Sequence, residues 1–81
     1  MNLIQRADAH RIAVEFINLD GLGDVTIVDN AVVEADDAWY FPYDGTDYLV
    51  NGNISAALAG NLPIKVLKDG TLVGYERPPG W

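Results

Sequence analysis

The chain has 81 residues, no cysteine and one histidine, and its 12 acidic against 5 basic side chains leave a net charge of -7. That length has room for one domain around one hydrophobic core, and it offers neither a disulfide nor the ligands of a zinc site to stabilise it. No run approaches the roughly 20 apolar residues of a membrane span, charges interrupt the N-terminus too often for a signal peptide, and a cytoplasmic location is the default expectation.

Residues 2–18 read as a helix, with Asn2 as its N-cap and good helix formers following. On a 3.6-residue wheel Leu3, Ala7, His10, Val14 and Ile17 form one stripe, and Ala9, Ile12, Ala13 and Phe16 an adjacent one. So wide an apolar arc implies a helix heavily covered, either lying on a sheet or shared with a second subunit in a homodimer. The polar arc holds Asp8, Arg11, Glu15 and Asn18, spaced so that Arg11 can reach both carboxylates. Gly21 and Gly23 in "NLDGLGD" suit the left-handed backbone that ends helices.

From Val25 the pattern becomes β-branched, in "VTIVDNAVVEA", where Asp29-Asn30 makes it one bulged strand or two short ones. Asp36-Asp37 then predicts a hairpin turn into "AWYFPY", whose Trp39, Phe41 and Tyr43 share one face. Pro42 has no amide hydrogen, so this strand belongs at an edge or is bulged there. After a turn at "DGTD", "YLVN" reads as extended, and "NISAALAGN" as one or two helical turns opened by Asn53 or Ser55 and stopped by Gly60. Pro63 opens a strand without needing a ladder donor, and Asp69-Gly70 reverses it through a type I′ turn into "TLVGYE". "RPPGW" is a tail or a packed flap. The expected fold is therefore α+β over residues 1–81: an N-terminal helix packed on an antiparallel sheet of about four strands, with a short helical turn before the last hairpin.

Catalytic equipment is sparse. Ser55 is the only serine, His10 sits on the apolar stripe of the helix, and both aspartate pairs, Asp36-Asp37 and Asp44 with Asp47, fall in predicted turns. The spacing of a calcium loop is missing, and the "GLG" at 21–23 lacks the third glycine of a dinucleotide site. No enzymatic activity, no metal and no cofactor is expected. The charge is more informative, because no basic residue lies between Arg11 and Lys65 while nine acidic ones do. Such a stretch repels nucleic acid and anionic lipid and attracts cationic partners, besides keeping a small protein soluble. The segment "WYFPYDGTDY" adds tyrosines to those carboxylates. Tyr40, Tyr43, Asp36, Asp37, Asp44 and Asp47 are accordingly the candidate partner-binding residues, the alternative being that the tyrosines merely cover the sheet.

At "WYF" and "YLVNGNISAALAGNLPIKVLKDG" the chain resembles the YrhB-like domain family, also called immunity protein 35. The shared pattern is Trp39 and Phe41, then Tyr48, then Leu58 to Ile64 as Leu-Ala-Gly-Asn-x-Pro-Ile, then Val66, Lys68 and Gly70, with Ala38 where the family usually has glycine. The resemblance implies a small bacterial cytoplasmic protein that protects its producer by binding a cognate toxin, without enzymatic activity. The acidic stretch makes a basic toxin the natural partner, such as a nuclease whose cleft must attract phosphates. A chaperone-like holdase, a homodimeric structural module and, last, a small hydrolase dependent on His10 are the alternatives.

Overall fold

The computed structural model of the chain describes residues 3–58 and 60–81. Helix α1 spans Arg6–Asp20 and so begins later than the sequence pattern suggests. Ile4 lies outside the helix instead, its amide donating to the Lys68 carbonyl at 2.8 Å, so the segment ahead of the helix is held against the turn of the last hairpin. Gln5 is the N-cap, and its amide donates to the Asp8 carboxylate, the reciprocal arrangement that satisfies the first turn of a helix. Asn2 lies outside the described residues. Arg11 reaches Asp8 at 3.4 Å, and no contact with Glu15 accompanies it. Gly21 ends the helix in the left-handed conformation, as expected.

Strands β1 (Val25–Ile27), β2 (Val33–Glu34), β3 (Ala38–Phe41), β4 (Tyr43–Gly45), β5 (Ile64–Leu67) and β6 (Leu72–Tyr75) form two antiparallel sheets. The larger has the order β2-β3-β5-β6 and the smaller pairs β1 with β4. "VTIVDNAVVEA" thus resolves into two short strands in different sheets, separated by a 3-10 turn at Asp29–Ala31. Pro42 is neither at an edge nor bulged: it stands between β3 and β4, where the chain leaves one sheet for the other. Its missing amide costs nothing at that point, and its carbonyl accepts from the Val28 amide at 2.9 Å.

One face of the larger sheet carries α1. Phe41, Ile64 and Val66 are fully buried against Ala9, Ala13 and Ile17, with Trp39, Tyr43 and Ile27 completing the core. Burying one such apolar side chain contributes about 1.5–3 kcal/mol, which is why the alternation in "AWYFPY" orients the strand firmly. The apolar arc of α1 is covered only in part, since Ala7 and Val14 stay at the surface, as does Leu3 ahead of the helix. Ala9 and Ala13 let the helix approach the sheet closely, with Ile17 buried beside them and Ile12 and Phe16 packed at the margin.

Two turns differ from expectation. "TDYLVN" is a helix, α2 (Thr46–Asn51), and not an extended piece. Gly52 closes it in the left-handed conformation and donates to the Tyr48 carbonyl, and Asp47 bonds Asn51 one turn on, so local capping outweighs β propensity at Tyr48, Leu49 and Val50. The Asp69-Gly70 reversal is not type I′, which would need positive φ at both residues; only Gly70 has it, at φ 96. Gly70 donates to the Leu67 carbonyl and Leu67 to that of Thr71, which makes a three-residue loop with glycine at its left-handed position. The Asp36-Asp37 turn is as expected, closed by Ala35 donating to Ala38 at 2.8 Å. The tail is a packed flap at Pro78, which is buried, while Trp81 is exposed.

Candidate partner-binding surface

The six candidate residues do not form one patch. Tyr40 is 2% exposed and Tyr43 7% exposed, so both tyrosines belong to the interior and offer a partner almost no area. Tyr43 points into the core on the Trp39 face, and its backbone carbonyl accepts from the Asn61 side chain at 2.8 Å. Tyr40 lies on the opposite face beneath Lys65, whose ammonium stands 5.5 Å from the ring centroid. That ammonium is bonded to Glu76 at 2.6 Å, and the carboxylate holds the lysine above its ordinary pKa.

Asp36 and Asp37 sit at the tip of the β2–β3 hairpin, exposed, and the Asp37 carbonyl accepts from the Lys68 amide at 2.9 Å. Asp69, at the tip of the neighbouring hairpin, and Leu3, Leu67 and Lys68 complete a cleft of about 310 Å³ beside them. The Lys68 ammonium does not neutralise these aspartates. It is bonded to Glu34 at 2.7 Å, lies 5.3 Å from the Trp39 ring, and holds the Glu34 carboxyl below its usual range.

Asp44 lies in β4 of the smaller sheet and Asp47 in the first turn of α2, and neither is at the β2–β3 hairpin tip that carries Asp36 and Asp37. Asp44 is half-buried and one of its oxygens accepts from the amides of Gly45, at 2.8 Å, and Leu58, at 2.7 Å. Asp47 accepts from the side-chain amides of Asn51 and Asn53 on its two oxygens, each at 2.6 Å, and these bonds hold its carboxyl below the ordinary value. Asn53 caps a second 3-10 turn, Ile54–Ala56, by accepting from the Ser55 amide. Gly45 allows that turn to close: a β-carbon there would stand 1.9 Å from the Ala56 carbonyl oxygen.

These bonds fix a loop whose apolar side chains face water. Val50 is 73% and Ile54 80% exposed, with Leu49, Tyr48 and Leu58 exposed to a lesser degree. Sequence reading missed Tyr48, Leu49 and Val50 because "YLVN" taken as a strand gives them a sheet to cover. The recoverable signal was "TDYLVNGN", in which an acidic first turn, an i,i+4 Asp-Asn pair and a terminal glycine describe one short helix.

His10 is half-buried and its Nε2 stands 2.9 Å from Asp29, with the ring edge-on to Phe41 at 5.9 Å. The hydroxyl in the adjoining groove, that of Thr26, shares a hydrogen bond with Thr46 at 2.6 Å. The histidine and the hydroxyl are each bonded to a partner other than one another. Among the described residues no group of acidic, histidine or cysteine side chains is arranged to hold a metal ion, and no helix is long and apolar enough to cross a membrane.

Compared with family models, with curated proteins and with solved structures, the chain matches none of them.

Proposed function

We propose that the chain is a non-enzymatic binding protein of the immunity type, which neutralises a cognate, cationic toxin by covering it. The observation that carries this reading is the loop of residues 44–58, in which Asp47 binds the side chains of Asn51 and Asn53 and Asp44 binds the Leu58 amide, while Leu49, Val50 and Ile54 are presented to solvent. Exposed apolar side chains on a braced element are the composition of a protein-recognition surface, since little order remains to be imposed on binding. The resemblance of "WYF" and "LAGNLPI" to the YrhB-like family supports the same reading, as does the unbroken acidic stretch from Glu15 to Asp47.

A chaperone-like holdase would use the same exposed Val50 and Ile54, and it would bind many unfolded chains without a fixed stoichiometry. The two readings separate on one experiment. The product of the adjacent gene is produced in a bacterial host with and without this chain. Growth arrest by that product alone, relieved by this chain with recovery of a one-to-one complex, is the expected result. Arrest that this chain does not relieve, or relief with no stoichiometric complex, contradicts it.

A further inference from the structure

We infer that the recognition element is the apolar knob on α2 and the 3-10 turn after it, centred on Val50 and Ile54, and that its partner is a protein surface with an apolar centre ringed by lysine and arginine. The inference deepens the binding role proposed above and rests on it for its biological meaning. Its physical content stands on the loop alone.

The knob is held outward by construction. The Asp47 carboxylate bridges the side chains of Asn51 and Asn53, Gly52 donates back into α2, and Asp44 binds the Leu58 amide from below. Ala56 closes against Gly45, where there is no room for a side chain. Val50 and Ile54 therefore cannot fold back onto the core without breaking this set of bonds. A rigid convex apolar group loses little freedom when it enters a pocket, which is the property that makes a few residues dominate an interface.

Charge selects the occupant. The carboxylates of Asp44 and Asp47 stand at the base of the knob, and the carbonyl of a third acidic residue, Asp24, accepts from the Thr46 amide at the start of α2. No basic residue occurs in the chain between Arg11 and Lys65, and the two lysines beyond are bonded to Glu76 and Glu34. A second copy would bring the same carboxylates face to face, and an anionic lipid or nucleic acid would be repelled. A cationic rim around an apolar centre satisfies both features.

The test uses the isotopically labelled full chain and two probes: an amphipathic helical peptide of leucine and lysine, and the same peptide with glutamate for lysine. The lysine peptide is expected to shift the amides of residues 47–58 most, and the glutamate peptide to leave the spectrum unchanged. Replacing Val50→Ser and Ile54→Ser together, both on exposed side chains, should weaken the lysine peptide at least about tenfold. Shifts concentrated instead at Asp36, Asp37 and Asp69, equal binding by the serine variant, or no shift at all would overturn the inference. Should the lysine peptide bind the knob while the adjacent gene product does not bind, the immunity role falls and the surface stands. Should that product bind wild type and serine variant alike, the surface falls and the immunity role stands.

Discussion

Asp47 shows at the scale of one residue how this protein uses its acidic side chains. Both of its oxygens accept amide hydrogens at 2.6 Å, from Asn51 and Asn53, and these favour the ionised form, so its carboxyl lies below the ordinary value of 3.8. A carboxyl depressed in the folded state adds stability above its unfolded pKa, and that stability is lost as pH falls through the folded value. The loop should therefore loosen below about pH 4. The protection of the Gly52 and Asn53 amides, their hydrogen exchange relative to the unprotected rate at the same pH, should fall there in the wild type ahead of that of β3 and β5. An Asp47→Ala variant should show the lowered protection already at neutral pH. Protection falling uniformly across the chain in acid would show that Asp47 braces nothing. In the sequence Asp47 was legible as a turn residue but its role as a bracket was not, because that depends on Asn51 turning back in a helix. Tyr40 was misplaced for a related reason. Alternation sets it on the face away from the core, and Lys65 with Glu76 then covers a face that a single strand cannot show to be covered.

At the scale of elements, regular patterns were readable and irregular junctions were not. The alternation in "AWYFPY" gave the inward set Trp39, Phe41 and Tyr43 directly, and the two hairpins were marked by Asp36-Asp37 and Asp69-Gly70. The start of α1 was not, because Leu3 continues the apolar stripe while its neighbour Ile4 hydrogen bonds to Lys68, a contact that spans most of the chain. Pro42 read as the mark of an edge or a bulge, and only the pairing of β4 with β1 shows that the chain changes sheets there instead. The junction of α2 with the second 3-10 turn depends on Gly45. Its φ of -59 is ordinary, so any cost of a side chain at this position is one of space. Gly45→Ala should destabilise the protein by about 1–3 kcal/mol, the usual cost of overpacking, as measured by the urea midpoint. It should also release the loop and weaken partner binding. A midpoint unchanged from wild type would show that the loop does not close on β4 as described.

Across the whole molecule, four of the five lysines and arginines are used internally. Lys65 pairs with Glu76, Lys68 with Glu34 and Arg11 with Asp8, while Arg6 donates to the Asp29 carbonyl. The excess negative charge therefore stays on the outside, at the hairpin tips and around the 44–58 loop. Its amount was plain from composition, but its division between the hairpin tips of the larger sheet and the loop that follows the smaller one was not, since the change of sheet at Pro42 does not show in the sequence. The account centres on this field guiding a cationic partner onto the apolar knob. The most direct test is the association rate with the adjacent gene product as salt rises from about 0.01 M to about 1 M, which shortens the screening length from ~30 to ~3 Å. The rate should fall at least about tenfold, and a rate indifferent to salt would contradict the account.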